Sequence, residues 1–243
     1  MIERVKILGV NVDAVTMAQA VERVANLIAE KKSSLVATAN AEMLLRATHD
    51  AELKSILNAA KLVVPDGAGT VWAARHLGKF MPERVAGADL VLELMKISVQ
   101  RAWKIFLFGA APGIADKAKS KAEKLFPGIN IVGTRNGYFT AADEPEIIAQ
   151  IKNSRPEILL AALGVPKQEK WLAAHKDELN VPVSIGVGGT FDVMAGVVKR
   201  APLWMQRAKL EWLFRAMLQP SRAGRLVALP KFVWKVHQQK ING

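Results

Sequence analysis

Short continuous apolar runs alternate along the chain with longer stretches in which apolar residues recur every three or four positions. A run such as Ile158–Leu163 is too short for a helix and is typical of a strand buried on both faces of a sheet. On this basis we predict seven strands, at Val5–Val10, Ser34–Thr38, Lys61–Val64, Trp103–Phe108, Asn130–Gly133, Ile158–Leu163 and Val183–Val187.

The amphipathic stretches between these strands predict helices. The first has a capping-box pattern, with Thr16 before its first residue and Gln19 three positions later. The alternation of strands and helices predicts an α/β, Rossmann-like fold, in which a mostly parallel sheet is flanked by helices. The predicted helices are Met17–Glu30, Ala41–Ala60 with a break near Asp50, Ala68–His76, Ala88–Val99, Gly113–Leu125, Glu144–Asn153 and Lys167–Glu178.

The C-terminal part of the chain predicts a helical appendage. Pro220 suits the first turn of a further helix, and Pro230 is expected to end or kink it. We therefore divide the chain into a catalytic α/β domain, residues 1–196, and an appendage, residues 197–243. One helical face of the appendage is apolar, at Leu210, Leu213, Phe214, Met217 and Leu218.

Most of the chain's net charge of +12 belongs to this appendage. Residues 199–243 hold ten Lys and Arg but one acidic residue, whereas residues 1–198 hold 24 basic and 21 acidic residues. The same stretch carries Trp204, Trp212 and Trp234, half of the six tryptophans. This composition indicates binding to an anionic membrane surface. The alternative, favoured for an average amphipathic helix, is that the apolar face packs on the body and the charges are solvated.

The composition also excludes several kinds of site and location. The chain has no cysteine, and therefore no disulfide framework and no thiolate nucleophile. No apolar run approaches the roughly 18 residues of a membrane-spanning helix, and the N-terminus lacks the apolar region of a signal peptide. We expect a cytoplasmic protein.

Glycine and polar residues follow the predicted strands where each one ends. In open parallel sheets the loops at the carboxyl ends line the ligand crevice, where glycine permits close backbone approach and helix N-termini favour anions. This arrangement predicts a phosphorylated ligand such as a nucleotide. No glycine-rich G-x-G-x-x-G motif of a dinucleotide site is present. The glycines concerned include Gly109, Gly188 and Gly189.

Five residues, four of them at strand exits and one in a connection between two predicted helices, suit transfer chemistry, and most have a simpler alternative. Asp66 follows an apolar strand and is a candidate base for a substrate hydroxyl, or else a turn or helix-capping residue. Thr38 and Asn40 end the second strand, where Asn40 alone is more typical of a helix cap. Arg84 is placed to hold a diphosphate and Gln168 to bind sugar hydroxyls, although both types are commonly solvated.

Nothing in the chain indicates a metal site or a cofactor. The four histidines lack metal-ligand spacing and no Asp-x-Asp motif occurs. A site that handles a diphosphate without a metal must neutralise the leaving-group charge with Arg, Lys and backbone N–H groups.

The chain resembles the WecG/TagA/CpsF family of bacterial glycosyltransferases in a series of motifs that run in order over nearly its whole length. The matching segments are Ala37–Glu42, Val64–Gly67, Pro82–Gly87, Gly137–Phe139, Ala162–Trp171, Gly186–Asp192, Lys199–Pro202, Glu211–Arg215 and the stretch from Pro220 to Pro230.

The resemblance implies an inverting, metal-independent enzyme on the cytoplasmic face of the membrane. It implies transfer of N-acetylmannosamine, or its uronate, from a UDP-sugar to N-acetylglucosamine on undecaprenyl diphosphate, with a β-linkage, in teichoic acid, enterobacterial common antigen or capsule synthesis. It further implies that family members form oligomers. By the family pattern Asp66 is the base, and Thr38, Asn40, Arg84 and Gln168 bind substrate. The arginines that complete the site when the appendage meets the membrane are Arg215, Arg222 and Arg225.

Two other functions compete with this interpretation. A pI of about 10.0 is compatible with a nucleic-acid-binding α/β protein, although the nearly balanced body and single Tyr disfavour it, and we expect no nucleic acid. A Rossmann-type nucleotide-sugar dehydrogenase or epimerase is disfavoured by the missing G-x-G-x-x-G motif.

Overall fold

The computed structural model describes residues 2–198, 201, 202, 205, 214 and 224–242. It begins with an antiparallel hairpin of β1 (Arg4–Ile7) and β2 (Val10–Asp13), which forms a separate two-stranded sheet. The prediction of one strand over Val5–Val10 is therefore wrong. Leu8 and Gly9 have φ angles of +50° and +86° and reverse the chain, as the two central residues of a tight hairpin turn do.

The strands that follow form one parallel sheet in the described part of the chain. They are β3 (Ser34–Ala39), β4 (Leu62–Pro65), β5 (Lys104–Gly109), β6 (Asn130–Arg135), β7 (Ile158–Ala162) and β8 (Val183–Gly186). Their order in the sheet is β4-β3-β8-β7-β5-β6, and every neighbouring pair is parallel. The predicted Rossmann-like α/β fold is confirmed.

Helices cover both faces of this sheet. The predicted break near Asp50 is confirmed, since its Oδ1 accepts a hydrogen bond from the Leu53 N–H at 2.9 Å and caps α3. The predicted helix Lys167–Glu178 is instead two helices that meet at His175. The helices are α1 (Met17–Glu30), α2 (Ala41–Arg46), α3 (Ala51–Ala59), α4 (Ala68–His76), α5 (Gly87–Arg101), α6 (Ile114–Leu125), α7 (Glu144–Ser154), α8 (Lys167–Ala174), α9 (Lys176–Leu179), α10 (Thr190–Met194) and α11 (Gly224–Asn242), with a 3₁₀ turn at Ala141–Asp143.

Alternate side chains of each strand enter two separate cores, one on each face of the sheet. In β7, Ile158 and Leu160 pack with α1, α5 and α6, whereas Leu159 and Ala161 pack with the hairpin and with α2, α3, α4, α7 and α8. Both faces are thus apolar, as a sheet with helices on both sides requires. Polar side chains are left for the strand ends, where the site is expected.

Helix α11 packs on the body in the second of these cores. Phe232 and Val236 are fully buried there, against α2 and α4. The Nζ of Lys235 donates a hydrogen bond of 2.9 Å to the Oγ1 of Thr48. The helix continues through Pro230 rather than ending at it.

The division at residue 197 remains a prediction. Of the predicted apolar face only Phe214 is described, because Leu210, Leu213, Met217 and Leu218 lie outside the described residues, as does Pro220. Within the described part of the chain, no helix has the length and apolarity that a membrane span requires.

Candidate functional site

The parallel sheet gathers most of the predicted site residues at the carboxyl ends of four neighbouring strands. Thr38 lies at the end of β3 and Asp66 directly after β4, while Gln168 begins the helix after β7 and Gly188 follows β8. These four strands are adjacent in the sheet. The edge predicted from the sequence is therefore one continuous surface, as expected for a ligand crevice in this fold.

Asp66 is held at this edge by its backbone. Its N–H donates to the carbonyl oxygen of Ala39 at 3.0 Å, and its own carbonyl accepts from the Thr70 hydroxyl at 3.1 Å. The capping position of α4 is occupied by Gly67 and not by Asp66. The half-buried carboxylate thus lies at the strand end, directly before the residue that occupies the capping position of α4.

Arg84 is brought to the same place by the segment between α4 and α5. The N–H of Val85, the next residue, donates to the carbonyl oxygen of Pro65 at 3.0 Å. Pro65 directly precedes Asp66, so the chain places a guanidinium and a carboxylate on adjoining backbone segments. Arg84 is half-buried rather than fully solvated.

Asn40 is a helix cap, as its residue type alone suggested. Its Oδ1 accepts a hydrogen bond of 3.0 Å from the Met43 N–H at the start of α2. It also lies beside the turn after β4, since a Cβ atom added at Gly67 would be 3.9 Å from the Asn40 Cβ. Capping therefore fixes Asn40 next to Gly67, the residue that follows Asp66.

Thr38 joins three elements beneath the crevice. Its buried hydroxyl donates to the carbonyl oxygen of Gly186 at 3.3 Å, which connects β3 to β8. At the start of α5, Gly87 approaches so closely that an added Cβ would lie 2.9 Å from the Thr38 Cγ2. The side chain thus aligns the ends of two strands with a helix.

Gln168 is buried, with 1% of its surface exposed, and the solvated alternative for this residue is wrong. Its Oε1 accepts hydrogen bonds from the N–H groups of Gly164, at 3.1 Å, and Gly188, at 3.0 Å. Its Nε2 donates to the Oε1 of Glu169 at 2.7 Å. Gln168 consequently fastens the loop after β7 to the loop after β8.

Glu169 was not identified from the sequence. It is buried, with 1% of its surface exposed, and its Oε2 has no hydrogen-bond partner in the described part of the chain. Burial raises the pKa of its carboxyl to about 7, and the hydrogen bond from Gln168 opposes this shift. The available sequence signal was its position three residues before Leu172, on the buried face of α8.

The predicted glycines take part in the backbone geometry of the loops, in different ways. Gly109 has φ of +123°, and a Cβ there would lie 2.5 Å from the backbone of Ala162 on the neighbouring strand. Gly188 has φ of +51°, and Gly189 occupies the capping position of α10. These are backbone roles, and they keep the loop after β8 in reach of Gln168.

The predicted tail arginines cannot be placed beside this edge. Arg215 and Arg222 lie outside the described residues, and of Arg225 only its position in α11 is described. Among residues 2–198 and 224–242, no group of three or more His, Asp and Glu side chains is arranged to hold a metal ion. The described edge offers a carboxylate, a guanidinium and glycine-rich loops, a set that suits proton removal next to an anionic ligand.

Comparison with known proteins relates this architecture to sugar transfer. Residues 5–243 match the model of the Glycosyl transferase WecG/TagA/CpsF family. The chain is 33% identical over 239 residues to the N-acetylglucosaminyldiphosphoundecaprenol N-acetyl-beta-D-mannosaminyltransferase of Staphylococcus aureus strain NCTC 8325, covering 98% of this chain and 93% of the relative. The same enzyme of strain COL gives the same values.

Proposed function

The chain belongs to the WecG/TagA/CpsF family of glycosyl transferases, and on that basis we propose that it is an N-acetylmannosaminyltransferase acting on N-acetylglucosaminyldiphosphoundecaprenol. The family resemblance carried by the sequence motifs is confirmed. The match does not support a nucleic-acid-binding protein or a dehydrogenase, and neither is proposed further.

The proposed donor is UDP-N-acetylmannosamine or its uronate, bound at the strand exits. Glycine-rich loops after β5 and β8 allow a diphosphate to approach the backbone, where N–H groups favour anions. Arg84 adds a cation beside Asp66, and guanidinium groups bind diphosphate oxygens in pairs. Thr38, Asn40 and Gln168 are proposed to contact the substrate directly or to hold the strand ends and loops that contact it.

The proposed reaction is a single displacement with Asp66 as the general base. The acceptor hydroxyl loses its proton to the Asp66 carboxylate while its oxygen bonds to C1 of the donor sugar. The bond between C1 and the diphosphate oxygen breaks, and UDP leaves with the electron pair. Attack from the face opposite UDP inverts the configuration at C1 and forms the β-linkage. Cationic side chains and N–H groups stabilise the leaving diphosphate.

The lipid carrier of the acceptor is consistent with a reaction at a membrane surface, and the cytoplasmic surface is the one we propose. We propose that the basic appendage binds anionic lipid there, where each basic residue contributes about 1 kcal/mol. Arg215, Arg222 and Arg225 would then complete the diphosphate site. Whether two copies assemble stays a prediction.

The observation that carries the proposal is the backbone hydrogen bond from Val85 to Pro65, which joins the backbone segments that carry Arg84 and Asp66. The test is transfer from UDP-N-acetylmannosamine to a lipid-diphosphate N-acetylglucosamine acceptor by the Asp66→Asn variant. Loss of a general base lowers turnover by about 100-fold or more. The matched control is Asp177→Asn, an exposed carboxylate after the start of α9, which should retain full turnover.

Near-normal turnover by folded Asp66→Asn protein would reject Asp66 as the base. A donor panel with the uronate and with UDP-N-acetylglucosamine identifies the sugar. The same panel with a chelator tests metal independence, which fails if transfer is abolished.

A further inference from the structure

The carboxyl group of Glu169 lies close to the strand end from which one loop of the proposed donor site begins. A Cβ atom added at Gly186 would lie 2.8 Å from the Glu169 Oε1, so this carboxyl closely approaches the end of β8. It accepts a hydrogen bond from the side-chain amide of Gln168, and the oxygen of that amide accepts hydrogen bonds from the N–H groups of Gly164 and Gly188. Its Oε2 remains buried and without a hydrogen-bond partner in the described structure.

No described cation neutralises Glu169. On α8 itself, Lys170 pairs with Asp50 at 3.0 Å and Glu52 at 2.6 Å, and Lys167 sets its ammonium 4.1 Å from the Phe139 ring centre. The strands β3, β7 and β8, against which α8 packs, carry no ionisable side chain. The remaining ionisable residues on the helices packed against α8 are Lys54 of α3 and Lys176, Asp177 and Glu178 of α9.

We propose that Glu169 takes up one proton from solvent, on Oε2, when an anionic nucleotide-sugar donor binds at the strand exits. This inference rests on the proposed function for the location and charge of the ligand. Oε1 already accepts the hydrogen bond from Gln168, so Oε2 is the oxygen that is available to the proton. The proton leaves hydronium or a buffer acid and forms an O–H bond on Oε2, and no bond of the nucleotide sugar changes in this step.

The physical cause is the repulsion between two negative groups in a region of low polarity. A bound diphosphate disfavours a nearby carboxylate and therefore favours its neutral form. Because protonation and binding are thermodynamically linked, a nucleotide sugar that promotes protonation of Glu169 binds more tightly at lower pH. The neutral carboxyl still accepts from Gln168, so the loops keep their arrangement in the bound state.

The carboxyl of Glu169 is suited to this role because its pKa of about 7 leaves it mostly ionised just above neutrality. At pH 7.5 about three quarters of this carboxyl is ionised before the donor binds, so we expect an uptake of about three quarters of a proton for each donor bound. Between pH 7 and 8.5 the dissociation constant should rise roughly 15-fold. An ordinary surface glutamate would remain ionised throughout and give neither effect.

The test is calorimetry of UDP-N-acetylmannosamine binding to the full chain at pH 7.5, in two buffers with different ionisation enthalpies. The diphosphate of a nucleotide sugar is esterified at both ends and does not titrate near this pH, so any proton exchanged belongs to the protein. Glu169→Gln should bind the donor with uptake reduced to zero and a dissociation constant independent of pH. Asp66→Asn should keep the uptake, which excludes Asp66 as the proton acceptor.

The outcomes separate this inference from the proposed function. If no nucleotide sugar binds to the wild-type chain, the proposed donor site fails. If the donor binds without proton uptake, or if uptake persists in Glu169→Gln, the role of Glu169 is overturned. Should that variant not fold, the infrared difference spectrum of wild-type protein decides: donor binding should add a protonated-carboxyl band, and its absence refutes the inference.

Discussion

Gly186 leaves the space that the side-chain amide of Gln168 occupies: a Cβ atom added at Gly186 would lie 2.5 Å from the Gln168 Nε2. The same glycine presents its carbonyl oxygen to the Thr38 hydroxyl. One residue at the end of β8 therefore determines how the loops after β7 and β8 are joined and how β3 is aligned with them.

Gly186→Ala should displace the Gln168 amide, because a contact of 2.5 Å requires one of the two groups to move. The hydrogen bonds from Gly164 and Gly188 would then be weakened. We expect transfer activity to fall at least about tenfold, on the scale of a misplaced substrate-positioning group. Kinetic assays of the folded variant provide the measurement.

The control for this prediction is Ser184→Ala, two residues earlier on the same strand, which removes an atom rather than adding one. It should change activity little. Equal losses in both variants would mean that β8 is merely sensitive to substitution, and the specific role of Gly186 would be wrong.

The sheet and the position of its edge could be predicted from the sequence because both follow from local patterns. The apolar runs and the polar residues at their ends place Thr38, Asn40 and Asp66 together without any knowledge of packing. The hairpin was missed because Leu8 takes a left-handed conformation that is uncommon for its residue type.

The burial of Gln168 and Glu169 could not be predicted in this way. It depends on the loop after β8, whose Gly188 is twenty residues away along the chain. A polar residue in the first turn of a helix is ordinarily solvated. Gln168 instead forms a buried hydrogen bond with the loop after β8. Periodicity within α8 carries no information about that partner.

The free energy of unfolding should depend on pH in a way that Glu169→Gln removes. Burial raises the pKa from 4.5 to about 7 in the folded state, so the folded carboxyl is neutral at pH values where the unfolded one is ionised. The free-energy cost of burying the charged carboxylate is absent below about pH 4.5, grows as the pH rises towards about 7 and is complete above that pH. The increase in the free energy of unfolding caused by Glu169→Gln should thus be larger at pH 8 than at pH 5, by on the order of 2 to 3 kcal/mol.

Urea unfolding of both proteins at the two pH values measures this difference. Glu146→Gln, an exposed position on α7, serves as the control and should show no comparable pH-dependent gain. Equal effects of Glu169→Gln at pH 5 and pH 8 would contradict a raised pKa at this carboxyl.

Docking of α11 should depend on Phe232, whose side chain is fully buried against the body. Removal of a buried phenylalanine costs about 3 kcal/mol or more. Phe232→Ala should therefore increase amide hydrogen exchange throughout residues 228–242 at neutral pH. The adjacent Val233 is 44% exposed, so Val233→Ala should leave the exchange rates almost unchanged. If the two variants exchange alike, the helix is held by other contacts.

Acidification should loosen the same helix through His76 of α4. Its Nε2 lies 3.3 Å from the Nδ1 of His237 on α11, and its ring stacks on Trp72. Desolvation lowers the pKa of His76, with further contributions from the charges of Lys240 and His237. Because the folded state disfavours the protonated ring, its stabilising contribution is present above pH 6.5 and is lost as pH falls through the lowered pKa.

We therefore expect α11 to exchange its amides faster at pH 5.5 than at pH 7.5, after correction for the intrinsic exchange rates. Gln at position 76 retains an N–H donor for His237 but cannot be protonated, so His76→Gln should reduce this pH dependence. An unchanged pH response in His76→Gln would contradict this role of His76.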